Sequence, residues 1–185
     1  MKRVLLGLGS NKSFDNKSPL ELLACAGGEL CRLMSDLHFS SVYKTPAMYV
    51  TDQEDFYNAV AVGYVADDTD AYDFLRKIND IEAKYGRDRA KEIRFGPRSL
   101  DIDIELFGNE HIDSPTLQIP HVRMEERAFV LIPSIEVLKY SADEIVREKY
   151  IRCLEAVKKT GGAEGITKLQ EFPKAVENGR NRKLS

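Results

Sequence analysis

The chain lacks most of the markers that sort proteins at a glance. Its three cysteines, Cys25, Cys31 and Cys153, are odd in number and lack metal-ligand spacing, which argues against a disulfide framework or a structural zinc site. They read as buried thiols of a reducing compartment. The three histidines, His38, His111 and His121, are scattered. No stretch approaches the roughly 20 apolar residues of a membrane span. The apolar run near Met1 is too short for a signal peptide, and no cleavage site follows it, so the expected location is the cytoplasm. A net charge of −3 gives no bulk basic surface for nucleic acid. Also missing are internal repeats, low-complexity linkers, a glycine-rich phosphate loop ending in lysine and serine or threonine, a nucleophilic serine elbow and a redox cysteine pair.

What is present points elsewhere. With 43% apolar and 31% charged residues, 185 positions suit one globular domain with a real core. The most informative stretch is Arg94-Phe95-Gly96-Pro97-Arg98-Ser99-Leu100-Asp101-Ile102-Asp103-Ile104. In a strand, Asp101 and Asp103 project from the same face. Two carboxylates side by side are unfavourable unless a cation relieves them. Hard oxygens suit magnesium, which binds through one or two carboxylates plus substrate phosphates. Arg87, Arg89, Arg94 and Arg98 concentrate positive charge just before this strand, as a phosphate clamp would. Read alone, the aspartates also fit the polar face of an edge strand, and the arginines a solvated basic loop. Glu82, on the preceding helix, reads as the partner of Lys77 or of a nearby arginine.

The element order follows from periodicity. Val4–Leu8 reads as a buried strand and Ser18-Pro19-Leu20-Glu21 as a helix start, with the helix running to about Leu33. Leu37–Tyr43 and Phe56–Val65 read as strands, Asp70–Tyr85 as a helix, Ser99–Phe107 as the aspartate strand. Ile112 and Leu117–Ile119 supply a short further strand. Arg127–Leu138 holds a helix interrupted or bounded by Pro133, and Ala142–Lys159 a last one. The order predicts an α+β fold, a ferredoxin-like βαββαβ sandwich with extra short strands and C-terminal helices. Residues 1–139 form the expected core, and 140–185 a helical extension with a basic tail, packed on or trailing from the same domain.

Five segments, in order, resemble the 6-hydroxymethyl-7,8-dihydropterin pyrophosphokinase family: Gly7-Leu8-Gly9-Ser10-Asn11, Tyr43-Lys44-Thr45-Pro46, Asp55-Phe56-Tyr57-Asn58-Ala59, the Arg94–Asp103 stretch, and Pro120-His121 with Arg127-Ala128-Phe129. The resemblance implies a Mg-dependent transfer of pyrophosphate from ATP to the pterin hydroxymethyl oxygen, releasing AMP, in folate biosynthesis. It implies two magnesium ions on Asp101 and Asp103. Arg87 and Arg98 would stabilise the transferred phosphates, with Arg89 and Arg94 as helpers. His121 and Arg127 match positions that contact ATP phosphates, and Ile104 would lie beside the adenine. For the pterin, Thr45, Pro46 and Met48 match a loop that reads the heterocycle's edge and Asn58 an amide that bonds it. Phe56 and Phe129 match the rings that sandwich it, and Phe95 an aromatic that closes over the site.

Some positions depart from the family pattern. Phe56 stands for a tyrosine and Phe95 for a tryptophan. Thr116 and Val122 replace a basic and an aromatic residue near ATP. Glu105 replaces an apolar residue, and either adds negative charge near the metals or lies at a solvent edge. The loops Lys44–Asp55 and Tyr85–Gly96 are expected to order when both substrates bind. A small-molecule enzyme without nucleic-acid or membrane partners, monomeric, is the expectation. The alternatives are a single phosphoryl or nucleotidyl transferase on the same scaffold, and a non-catalytic ferredoxin-like binding module.

Overall fold

In the computed structural model, which describes residues 1–47, 52–89, 96–140 and 143–174, the aliphatic run after Met1 forms β1 (Lys2–Ser10). Helix α1 (Pro19–Leu33) starts as its sequence predicts. Ser18 Oγ accepts from the Glu21 N–H, Glu21 returns a bond to the Ser18 N–H, and Pro19 occupies the first turn. Gly27, a weak point for helix propensity, has a packing reason: a side chain there would meet Phe172 at 2.8 Å.

The expected strand Leu37–Tyr43 is two strands, β2 (Ser35–Phe39) and β3 (Val42–Thr45). Both pair antiparallel with β4 (Phe56–Val65). The break falls at Ser40 and Ser41, which are buried. There the Ser40 N–H donates to Val60 O at 2.8 Å and Ser40 Oγ accepts from the Val60 N–H at 2.9 Å, so the ladder is bridged partly by a side chain. Helix α2 (Ala71–Lys84) begins at Asp70, whose carboxylate accepts from the N–H groups of Tyr72 and Asp73. Strand β5 (Asp101–Phe107) follows, then the hairpin β6 (Ile112–Asp113) and β7 (Gln118–Ile119). Helix α3 (Ala128–Val137) runs through Pro133, and α4 (Glu144–Lys159) precedes a short strand, β8 (Thr167–Gln170), that periodicity does not predict.

The sheet order is β5-β1-β4-β3-β8, antiparallel throughout, with β2 also on β4. Its first four strands have the order and alternation of a ferredoxin-like sandwich. One face packs Leu6, Leu8, Ile102 and Ile104 against Leu23 and Leu30 of α1 and Phe74 and Ile78 of α2. Burying each such leucine or isoleucine contributes about 1.5–3 kcal/mol. The other face packs Leu5, Val60 and Val62 against Leu131 and Val137 of α3 and Tyr150 of α4. That second cover is partial, and the strand ends it leaves bare hold the cleft. The cysteines are all free, but Cys31 is exposed and the other two half-buried, so none is the buried thiol expected. Most of the basic tail lies outside the described residues.

Candidate active site

Backbone alternation places Asp101, Asp103 and Glu105 on the second face of β5, and Ile102 and Ile104 in the first core. Opposite them on β1 stand two glycines: Gly9 pairs with Asp101 and Gly7 with Asp103. Beyond β1, Gly9 also pairs with Asn58 and Gly7 with Val60. Two adjacent rows thus run carboxylate, glycine, then amide or aliphatic. With no side chain on the middle strand, the rows form a trough two strand spacings wide, roughly 10 Å, bare above Gly9 and filled above Gly7 by the Glu105 carboxyl. A Cβ on Gly9 would sit 3.0 Å from Asn58 Oδ1, so a side chain there would press on the amide.

This trough opens into a cavity of about 240 Å³. Asp101, Asp103, Arg98, His121 and Arg127 line its charged end. Thr45, Pro46, Phe56, Asn58 and Phe129 line the other. Ten of the expected site residues therefore meet in one place. Asn58 Nδ2 donates to Thr45 Oγ1 at 2.7 Å, which leaves its carbonyl oxygen on the glycine side. Ile104 differs: its side chain faces the first core, so any nucleotide contact there falls to its backbone. Thr116 and Val122 are exposed. Met48, Arg94 and Phe95 lie outside the described residues, as do 49–51 and 90–93 of the two loops expected to order.

The charged end is tightly paired. Asp101 binds Arg87 through one oxygen and Arg98 through the other. Burial works against its charge, but the two guanidinium groups outweigh burial and hold its carboxyl below the usual range. Asp103 lacks that help. Arg127 Nη1 is 3.9 Å away, and burial together with the neighbouring Asp101 pushes Asp103 up to about 7. His121 is pushed down to about 4 by burial and by Arg127. It sits at its post through its backbone N–H, which donates to Glu105 O at 3.0 Å.

Three anchors lie outside the expected site. Glu82, almost wholly buried, accepts from Arg87, from Arg89 Nη2 at 2.6 Å and from the Ile102 N–H at 2.8 Å. It therefore ties the arginine loop to the aspartate strand rather than pairing with Lys77. Arg89 remains exposed beside it. Asn11 accepts from the Arg98 N–H at 2.8 Å and donates to Gln53 Oε1 and Glu54 O at 3.1 and 3.0 Å. Glu136 on α3 accepts from Ser41 Oγ at 2.8 Å, Tyr43 Oη at 2.9 Å and Lys168 Nζ at 3.3 Å, joining α3 to β3 and β8.

Glu105 is not at a solvent edge. The pairing of β1 with β5 shifts between Leu5 and Leu6, which face Leu106 and Ile104 and leave Glu105 as the extra residue of a bulge. The bulge turns Leu106 toward the second core and Phe107 into the first. Glu105 is fully buried at the cavity wall, and neither carboxylate oxygen has a hydrogen-bond partner among the described residues. Burial, and after it Asp103, push its carboxyl well above the usual range.

The described residues hold no cluster of three or more histidine, cysteine, aspartate or glutamate side chains able to cage a metal. Two carboxylates beside a cavity fit magnesium, which completes its shell with water and phosphate oxygens. The sheet face of an RNA reader exposes aromatic and basic residues; here it carries aspartates, and α3 and α4 cover its remainder. An anionic pole, a guanidinium collar and an aromatic, amide-lined pocket thus share one antiparallel sheet.

Residues 5–139 match the family model of 7,8-dihydro-6-hydroxymethylpterin-pyrophosphokinase. The chain is 37% identical over 135 residues to the 2-amino-4-hydroxy-6-hydroxymethyldihydropteridine pyrophosphokinase of Haemophilus influenzae, covering 71% of this chain and 79% of that protein. Against the enzyme of that name from Pseudomonas aeruginosa the figures are 38% over 137 residues, 72% and 78%. It is also 33% identical over 153 residues to a folate synthesis bifunctional protein of Arabidopsis thaliana, covering 81% of this chain but only 29% of that protein. A solved HPPK-DHPS of Plasmodium falciparum shares the fold, with a TM-score of 0.58 at 14% identity over 91% of this chain and 47% of that one. The chain belongs to the 7,8-dihydro-6-hydroxymethylpterin-pyrophosphokinase family.

Proposed function

We propose that this member of the pyrophosphokinase family transfers the terminal pyrophosphate of ATP to 6-hydroxymethyl-7,8-dihydropterin and releases AMP. The observation that carries the reading is the glycine-floored trough, which sets the aspartate pair on one strand and Asn58 on another, facing a common cavity. Phosphoryl transfer asks a protein chiefly for positioning and charge neutralisation.

In this reading the pterin enters between Phe56 and Phe129, with Asn58 and the Thr45–Pro46 backbone at its polar edge. Stacking on such rings contributes about 0.5–1.5 kcal/mol beyond area burial. Its hydroxymethyl oxygen attacks the β-phosphorus. The new oxygen–phosphorus bond forms as the α,β-bridging bond breaks, AMP leaves with the bridging electrons, and the hydroxyl proton passes to water. Asp101 and Asp103 would hold magnesium, which supplies charge neutralisation at the phosphate oxygens when bound. Arg87 and Arg98, already lodged at Asp101, turn their planar donors to the transferred phosphates. His121 and Arg127 hold the nucleotide phosphates from the other side. Arg89 and Arg94 assist from the loop, Met48 would join Thr45 and Pro46 at the pterin's edge, Phe95 would close over the site, and the Ile104 backbone borders the adenine.

No helix among the described residues is long and apolar enough to cross a membrane. The reading makes the protein a cytoplasmic monomer, which sedimentation at micromolar concentration checks. The deciding experiment is phosphorus NMR of purified protein with ATP, magnesium and the reduced pterin. AMP and a pterin diphosphate support the reading. ADP, or free pyrophosphate, would assign single phosphoryl or nucleotidyl transfer instead.

A further inference from the structure

The family match ends at residue 139, yet the chain beyond it returns to the pterin end of the cleft. After α4 the backbone turns at Gly161 and Gly165, both at positive φ (78° and 73°), and enters β8. Strand β8 pairs antiparallel with β3, Thr167 opposite Lys44 and Lys168 opposite Tyr43. All four β8 side chains are exposed, so the strand adds nothing to either core. What it provides is backbone pairing along the strand that carries Thr45.

The closest approach is at Gly165. A Cβ there would sit 2.6 Å from Pro46 Cγ and 3.2 Å from Pro46 Cδ, well inside van der Waals contact. The proline ring has no rotamer by which to withdraw. Only glycine satisfies both the left-handed backbone and this contact. The segment is held from two sides. Lys168 reaches Glu136 on α3, and beyond the strand Phe172 stacks on Phe39 at 4.1 Å between centroids, in the notch above Gly27.

We propose that the Gly165 turn and β8 form the back wall of the pterin pocket, with Gly165 as a positioning residue that fixes Pro46 and, through it, the Thr45–Pro46 edge. The inference rests on the reading of Thr45–Pro46 as the pterin's edge. It assigns to the C-terminal extension a part in acceptor binding and none in nucleotide binding.

The test compares Gly165→Ala with Gly161→Ala. Both put a side chain on a left-handed glycine, but the nearest atom to a Gly161 Cβ is Glu164 Oε1 at 3.1 Å, with no contact to Pro46. Gly165→Ala is expected to raise the pterin KM about tenfold while the ATP KM and kcat stay within about twofold, and Gly161→Ala to leave all three unchanged. In a Pro46→Ala background, where the ring atoms are gone, Gly165→Ala should have no further effect. Hydrogen exchange at the Thr45 amide, read without substrates, should accelerate in Gly165→Ala alone. If Gly165→Ala fails to fold, Phe172→Ala replaces it and should show the same KM split. Equal effects at the two glycines, or a shift in the ATP KM matching that in the pterin KM, overturn the inference. Wild-type protein that makes no AMP overturns the functional reading instead, and the exchange comparison then decides the positioning alone.

Discussion

Glu105 fills the space that a side chain on Gly7 would take: its Oε1 lies 2.8 Å from the position of a Gly7 Cβ. The missing side chain on β1 and the extra residue on β5 fit each other. The fit leaves a carboxyl sealed in without a hydrogen-bond partner among the described residues. Glu105→Leu, of similar volume, should therefore raise the unfolding free energy by about 1–3 kcal/mol at neutral pH. The sign with pH is fixed. Below the unfolded carboxyl's value of 4.5 both states are protonated, so the cost of ionisation is gone and only the smaller cost of burying a neutral, unpaired carboxyl remains. As pH rises past that value the unfolded chain ionises first, so wild type loses stability relative to Glu105→Leu. Denaturant titrations of both proteins in metal-free buffer at pH 4.5 and 7 check this. A gap that narrows with rising pH would contradict it.

The two aspartates should separate when activity and stability are read together. Asp101→Ala and Asp103→Ala are each expected to cut turnover about a thousandfold. Asp101→Ala also strips Arg87 and Arg98 of their shared counter-charge and should cost about 3 kcal/mol of stability. Asp103→Ala removes a half-exposed carboxyl crowded by Asp101 and only distantly paired with Arg127, so its melting temperature should stay within about 2 °C of wild type. Calorimetry beside the AMP assay distinguishes the two.

Glu82 offers a separate handle on the arginine loop. Glu82→Ala leaves Arg87 and the Ile102 N–H short of a buried acceptor and should destabilise by about 3–5 kcal/mol. Glu82→Gln can keep the Ile102 bond. It should fold, yet lose about 10- to 100-fold in kcat/KM through a loosened Arg87. Equal kinetics for Glu82→Gln and wild type would place Glu82 in the fold alone.

Phe129→Ala tests the aromatic end. The pterin KM is expected to rise about tenfold through the lost stacking face, and the ATP KM by less than about threefold, since the Arg127 guanidinium lies 5.6 Å from the same ring. Steady-state kinetics with each substrate varied in turn gives the split.

Much of the scaffold could be read from the chain because local rules decided it. Ser18, Pro19 and Glu21 fix the start of α1 by capping alone, and the run Phe56–Val65 is β4 to the residue. Where the sequence misleads, a partner strand or a distant side chain decides. Strand β8 has four exposed residues and no alternation to betray it; only the free edge of β3 makes it a strand. The bulge at Glu105 lies between the pairs Leu6–Ile104 and Leu5–Leu106, and its side chain fits over Gly7, a relation that pairing reveals and composition does not. Asn11 reads as a turn residue until Arg98 and Glu54 come within its reach. Glu82 carried a usable signal: it lies four residues after Ile78 and eight after Phe74, on the buried stripe of α2. A carboxylate on such a stripe requires partners, and the arginines that follow were the ones available.

Asn11 stands at the end of β1 and bonds both the segment before Phe56 and the Arg98 backbone. A surveyor would call it a datum: two walls are measured from one fixed peg, so the errors of two long loops do not add. An in-line attack tolerates only fractions of an ångström between incoming oxygen and phosphorus. The spacing between donor and acceptor is thus referenced to a single amide on the central strand, and substitutions elsewhere in either loop inherit that common origin.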